Sequence, residues 1–278
     1  MLAEPGAGAS VVRGLIGSKN GRMQLYYRTY GEGHPLIVLH GLLGSGGNWH
    51  TISSRWFGQH FKVYAVDLRN HGRSPHSDEF SYEVMVEDLR DFVDDHDLTS
   101  AHVLGHSMGG KTAMLFALTY PDRVDRLVVA DMAPRAYPPT HNDIFDALRS
   151  IDTSQYGSRR DIEDAIARKI TAPEVRQFLM KNLSHDRERG KYVWQMNLEG
   201  LYRNYDRLSE PIEAENPFEG PTLFIRGERS NYIRDEDIPG IKWLFPEAEI
   251  ITIPHAGHWV HADAPQAFAE LVLEFLTK

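Results

Sequence analysis

The segment Val103-Leu104-Gly105-His106-Ser107-Met108-Gly109-Gly110 sets a serine at the centre of a G-x-S-x-G pattern, with an apolar run before it and a helix-forming stretch after it. A chain that reverses sharply from strand to helix here forces the central serine into a strained backbone conformation with its hydroxyl exposed. Gly105 and Gly109 suit such a bend, because a Cβ at either would meet the adjoining strand or helix. The start of a helix also favours developing negative charge. Nucleophilic attack on an acyl carbon is the chemistry that fits. It needs two amides aimed at the carbonyl oxygen as that atom becomes negative. Leu36-Ile37-Val38-Leu39 runs into His40-Gly41-Leu42-Leu43-Gly44, an H-G-x-x-G loop. One amide is expected from Leu42 and the other from Met108. His40 itself is expected to be a buried structural histidine that bonds this loop.

A serine nucleophile requires a base, and 14 histidines are available. His258 has the right position, in the loop His255-Ala256-Gly257-His258-Trp259 that leaves the last apolar run. His255 and His261 are its rivals. His258-x-x-His261 has metal-like spacing, but no Asp or Glu completes a zinc motif, so neither metal nor cofactor is expected. The acid is the most open choice. Asp131 ends the run Leu127-Val128-Val129-Ala130, whereas Glu228 and Asp235 follow Thr222–Ile225, and Glu199 lies in a helical block. Neighbouring parallel strands are about 4.8 Å apart, so either strand end could reach the imidazole. Asp131 ranks first because a short carboxylate at the strand end itself is rigidly held.

Positioning these groups requires a particular scaffold. Six runs (Leu36–Leu39, Val63–Val66, His102–Leu104, Leu127–Ala130, Thr222–Ile225 and Ile250–Ile253) show no polar alternation, as expected of strands covered on both faces. Helices are predicted over Tyr82–Phe92, over Met108–Thr119 and from about Pro265, where Phe268, Leu271, Val272 and Phe275 form one stripe. Strands alternating with helices imply a mainly parallel sheet in an α/β fold. Asn20-Gly21, between Val11–Ile16 and Met23–Tyr30, predicts an opening antiparallel hairpin. From Pro134 to Pro221 no strong strand is apparent. An amphipathic stripe (Ile162, Ala165, Ile166, Ile170) and a Thr171-Ala172-Pro173-Glu174 capping box predict helices there. The expected organisation is a single domain, 1–278, with a helical cap inserted at approximately 134–221. Phe145, Leu148, Phe178, Trp194, Tyr202 and Trp259 are candidates for an apolar substrate pocket.

Composition narrows the classes. The 278 residues include 30 Lys+Arg and 39 Asp+Glu, a net charge of −9, which disfavours nucleic acid and anionic membrane as partners. With 41% apolar residues the chain can bury a sizeable core, and with no cysteine it has no thiolate nucleophile and no disulfide. Neither a secretory signal nor a run long enough for a membrane span is evident, so a cytoplasmic protein is expected.

Taken together, these motifs resemble the α/β-hydrolase superfamily over nearly the whole chain, from about Met23 onward. Asp67-Leu68-Arg69-Asn70-His71-Gly72-Arg73-Ser74 is similar to the superfamily's structural D-x-R-x-x-G-x-S loop. Gly105–Gly110 followed by Lys111, Asp131-Met132-Ala133-Pro134 and His258-Trp259-Val260-His261 resemble, more narrowly, the YbfF-type bacterial esterases and their ABHD11-like and yeast Eat1-like relatives. In the wider superfamily the acid stands where this chain has Ser230; in the narrower group the acid after the preceding strand takes its place, which implies Asp131. The resemblance implies a serine esterase acting on a small-molecule ester, with short to medium acyl chains, or on a thioester. Acyl transfer to an alcohol and an acyl-CoA thioesterase, whose phosphates could meet Arg135, Arg226 or Arg229, use the same triad. A slow-turnover ligand receptor on the same fold is the alternative from another class.

Overall fold

All six unalternated apolar runs form strands. In a computed structural model, which describes residues 22–278, the chain runs β1 (Tyr27–Tyr30), β2 (Pro35–Leu39), α1 (His50–Arg55), β3 (Lys62–Val66), α2 (Tyr82–Asp95), β4 (Ala101–His106), α3 (Met108–Thr119) and β5 (Val124–Ala130). There follow α4 (Asn142–Arg149), α5 (Arg159–Ala167), α6 (Pro173–Met180), β6 (Leu183–Asp186), β7 (Lys191–Trp194) and α7 (Leu198–Arg203). The chain then returns through β8 (Thr222–Gly227), α8 (Ile238–Leu244), β9 (Ala248–Ile253), α9 (Val260–Asp263) and α10 (Pro265–Leu276).

The main sheet has seven strands in the order β1-β3-β2-β4-β5-β8-β9, parallel except for β1, which pairs antiparallel with β3 at one edge. Its two faces feed separate apolar clusters. Ile37, Val103 and Val129 pack on one side with α2 and α3, whereas Leu36, Val38, Leu104 and Val128 pack on the other with α10. Both sides of each central strand are therefore buried, which is why these runs are continuously apolar. The Phe268, Val272 and Phe275 stripe of α10 covers the second face.

Two sequence expectations need revision, and a third falls mostly outside the described residues. The arm Val11–Ile16 and the Asn20-Gly21 turn of the expected hairpin lie outside the described residues, and the strand that follows pairs with β3. The segment between β5 and β8 contains a β6–β7 hairpin as well as helices. Each of its strands has only four residues, too short for a pattern, and Asp186 closes the turn by accepting from the Glu188 and Arg189 amides. The Thr171 capping box does not form: α6 begins at Pro173 with Ala172 as its cap. Proline is pre-set for the first helical position, which moves the boundary one residue past the threonine. Ile162 and Ile166 are buried from α5 as expected, while Ile170 lies beyond the end of that helix. No helix among the described residues is long and apolar enough to cross a membrane.

Candidate active site

Ser107 occupies the tight bend between β4 and α3, at φ 54° and ψ −119°. The two flanking glycines are sterically required. A Cβ on Gly105 would fall 2.1 Å from the Gly109 carbonyl oxygen, and one on Gly109 would fall 2.6 Å from that of His40. The Ser107 amide bonds the Ala130 carbonyl of the neighbouring strand at 3.1 Å. One residue further along that strand is Asp131, also at positive φ (49°), with its amide held by the Ile225 carbonyl at 2.7 Å. Since His106 pairs with Ala130 in the β4–β5 ladder, Ser107 and Asp131 emerge at the same level. Two non-glycine residues in this disfavoured backbone region, on adjacent strand ends, mark strain concentrated at one site.

His258 arrives from the loop after β9 and joins them. Ser107 Oγ lies 3.0 Å from His258 Nε2, and His258 Nδ1 lies 2.7 Å from Asp131 Oδ2. The tautomer that serves both contacts donates from Nδ1 to the carboxylate and accepts the serine proton at Nε2. Asp131 is fully buried, yet both its oxygens are engaged: Oδ1 accepts the Gly227 amide at 3.0 Å, and Oδ2 also accepts the Ser230 hydroxyl. Position 230, where the wider superfamily would carry the acid, here supplies a donor to the acid that replaces it. The rivals are engaged elsewhere. Glu228 accepts the His255 amide, Asp235 pairs with Arg226 and Glu199 with Arg149. His255 is nearly all solvent-exposed, and His261 is buried against Trp49, its ring stacked at 4.5 Å.

The loop after β2 lies directly over the serine, for a Cβ on Gly41 would stand 3.3 Å from Ser107 Cβ. Leu42 and Met108 border the space beside Ser107, and Met108 opens α3, whose first amides have no intrahelical acceptor. His40 donates from Nδ1 to the Gly41 carbonyl and accepts the Leu68 amide at Nε2, so it is a structural group of that loop. Burial holds its imidazole below the ordinary range, that is, neutral. The Asp67–Ser74 loop is equally structural: Asp67 accepts the Gly46 and Arg73 amides, and Arg69 makes a paired contact with Asp88.

Two cavities meet at the serine, sharing Leu42, Ser107, His141, Tyr232 and His258 as walls. The smaller, about 370 Å³, extends under Tyr82, Tyr137 and Leu208, with Arg135 and Arg229 on its border. The larger, about 600 Å³, runs past Phe178 and Trp259, whose rings lie 5.4 Å apart. Trp259 and Phe178 thus border a cavity as expected. Phe145, Trp194 and Tyr202 border neither. Phe145 is fully buried among Tyr202 and Tyr205, Tyr202 carries the Arg149 guanidinium over its ring at 4.0 Å, and Trp194 packs into the core. Aromatic side chains in a small helical segment go first to its own core, which sequence does not distinguish from a pocket wall.

Three contributors escaped the motifs. Tyr232 stacks on the His258 imidazole at 3.8 Å and 17°, His106 Nε2 donates to the His258 carbonyl at 2.9 Å, and Ser230 holds Asp131. Only Ser230 had a signal in the sequence, as the position from which an aspartate is missing.

A family model described as the alpha/beta hydrolase fold matches residues 34–265. The chain belongs to the α/β hydrolase family. Among curated members, the sn-1-specific diacylglycerol lipase ABHD11 of Danio rerio is 39% identical over 254 residues, 88% of this chain and 79% of that protein. A probable alcohol acetyltransferase of Saccharomyces cerevisiae is 34% identical over 270 residues, 88% of this chain and 77% of that one. Among solved α/β hydrolases, a marine microorganism esterase is 45% identical with a TM-score of 0.88, covering 91% of this chain and 99% of that structure.

Proposed function

We infer that this α/β hydrolase cleaves small-molecule carboxylic esters through an acyl-enzyme on Ser107. The observation that carries this reading is the continuous hydrogen-bonded path from Ser107 Oγ through His258 to buried Asp131. The esterase and lipase names of its relatives agree with it.

In the first half-reaction Ser107 Oγ attacks the ester carbonyl while His258 Nε2 takes its proton. Asp131 keeps the imidazole in the productive tautomer and stabilises its charged form. The amides of Leu42 and Met108 receive the oxyanion, a donor pair whose individual members are worth roughly 2.7–4 kcal/mol in such sites. His258 then protonates the departing alcohol. Water, deprotonated by the same nitrogen, releases the acid. The two cavities divide the substrate between them, acyl chain on one side of the serine and alcohol on the other. Residues 134–221 act as a cap over this site, and the larger cavity with Phe178 and Trp259 has room for acyl chains of short to medium length.

Hydrolysis of p-nitrophenyl butyrate tests this. Ser107→Ala should lower kcat by about 10⁶, as loss of the nucleophile does in serine hydrolases. A variant with kcat within tenfold of the parent would overturn the assignment. The yeast relative's name favours a second reading, in which an alcohol replaces water in deacylation. Ester formation from an activated acetate in the presence of ethanol, measured against free acetate, separates the two.

A further inference from the structure

Away from Ser107, at the opposite ends of the same strands, a second group of chemistry-bearing side chains converges. His102 is the second residue of β4, Asp125 the second of β5, and His34 directly precedes β2. The β4–β5 register shifts at this point: Ala101 faces Val124 but His102 faces Arg126, leaving Asp125 as the extra residue of a bulge. Bulges re-aim side chains, and here the result is a carboxylate beside two imidazoles. His34 Nε2 lies 2.8 Å from Asp125 Oδ2, and the His34 and His102 rings lie 4.6 Å apart. One potential ligand atom from each of the three lies within 4.8 Å of the other two. Independently, His102 is only 7% exposed, and its Nδ1 is buried with no hydrogen-bond partner. Buried polar atoms left in that condition are uncommon and point to something that satisfies them.

We propose that His34, His102 and Asp125 bind a divalent transition ion of the zinc class, with water completing the coordination. Two imidazoles and one carboxylate form a three-ligand set of the kind zinc takes when one position stays open. Calcium and magnesium prefer an all-oxygen shell, and ions that seek thiolate find no cysteine in this chain. Metal–ligand bonds of about 2.0–2.2 Å place tetrahedral donors roughly 3.3 Å apart, so the 2.8 Å contact between His34 and Asp125 has to open a little while both side chains draw in toward His102, within 4.8 Å of them. The side chains of His34 and Asp125 are 46% and 34% exposed and can turn. His102 is the fixed member, its ring held edge-on against Phe61 at 5.5 Å. Arg126, the cation next in sequence to Asp125, is drawn over the Phe275 ring at 5.4 Å. The ion would cross-link the starts of β2, β4 and β5, a structural role separate from ester cleavage.

Calorimetric titration of the whole chain with Zn²⁺ provides the test, supported by the visible absorption of the Co²⁺ form. The parent should take up ion at a saturable micromolar site. His34→Ala, at an exposed position, and Asp125→Asn, at a partly exposed one, leave the apolar core intact and should weaken that site by about tenfold or more. Both variants should keep the parent's rate on p-nitrophenyl butyrate, which separates this proposal from the esterase reading. Absence of saturable uptake by the parent, or undiminished affinity in both variants, would overturn it.

Discussion

Strand β5 carries a carboxylate at each end, Asp125 within it and Asp131 just past it, and each meets a histidine from another part of the chain. At the carboxyl end His258 meets Asp131 at 2.7 Å; at the amino end His34 meets Asp125 at 2.8 Å. By distance alone the two contacts are equivalent, and their surroundings make them different. Asp131 is fully buried, receives a backbone amide and a hydroxyl, and faces a serine through the imidazole. Asp125 is one-third exposed and faces a second imidazole. Exposed ion pairs contribute little, because water screens them and their side chains keep their freedom. A dry carboxylate held by three donors is fixed in place, which suits it to keep an imidazole in a single tautomer. The same two residue types are thus suited to proton transfer at one end and to metal ligation at the other.

The sharpest way to break this contrast is to make the same change at both ends. Asp131→Asn should lower kcat for p-nitrophenyl butyrate by up to about 10⁴ with KM little affected, as loss of the orienting acid does in other triads. Asp125→Asn should leave kcat at the parent's value. Equal losses in the two variants would mean that the pairs are not functionally distinct. A smaller effect should come from the donor that secures the buried acid. Ser230→Ala removes a hydrogen bond to a charged group, worth about 1.5–3 kcal/mol, so kcat should fall roughly 10- to 100-fold. Ser230→Thr, which keeps the hydroxyl, should restore most of it. An unchanged rate in the alanine variant would show that Gly227 and His258 suffice to hold Asp131.

The smallest expected effect concerns Lys111, one helical turn past the serine. Its side chain is fully buried, its ammonium lies over the Tyr82 and Tyr137 rings, and it donates to the Glu210 carbonyl. That contact ties α3 to the far end of the segment between β5 and β8. Burial, and after it the Arg135 guanidinium, push its pKa from 10.5 down to about 7. The unfolded chain therefore holds this proton more tightly than the folded one between about pH 7 and 10.5, and stability from this group rises with pH across that window. Below pH 7 the full cost of burying the charge is present. Thermal melts of Lys111→Met should show a larger shift in Tm toward stability, relative to the parent, at pH 6 than at pH 9. An equal shift at both would exclude a buried charge as the cause.

Much of the carboxyl-end site is legible in the sequence. The G-x-S-x-G bend is a local steric problem with few solutions, so the motif specified its own backbone, strain included. His258 followed from its place after the last strand. Asp131 was the best of several options, since adjacent strand ends offer equivalent reach until the loops are in place. Its engagement with Ser230, and the diversion of Glu228 to the His255 amide, are contacts between loops far apart in sequence. Tyr232 beside His258 had no signal at all, because a lone aromatic in a loop has no periodicity to read. The aromatics between β5 and β8 mislead for a related reason: Phe145 and Tyr202 stand at plausible places, but only packing decides whether such a ring turns toward a cavity or toward its neighbours.

The amino-end cluster was invisible in the sequence. His34, His102 and Asp125 follow no ligand spacing, and the bulge that turns Asp125 toward the histidines arises from the pairing of two strands. By itself, the sequence determined what depends on neighbours along the chain: the strand and helix periods, the glycine-flanked bend and the order of serine, acid and histidine. Tertiary structure alone decided which carboxylate is dry, which ring meets the imidazole and which side chains gather at the far end of the sheet. Those outcomes depend on distances between segments that sequence separation does not encode, and on burial, which exists only once the layers have closed.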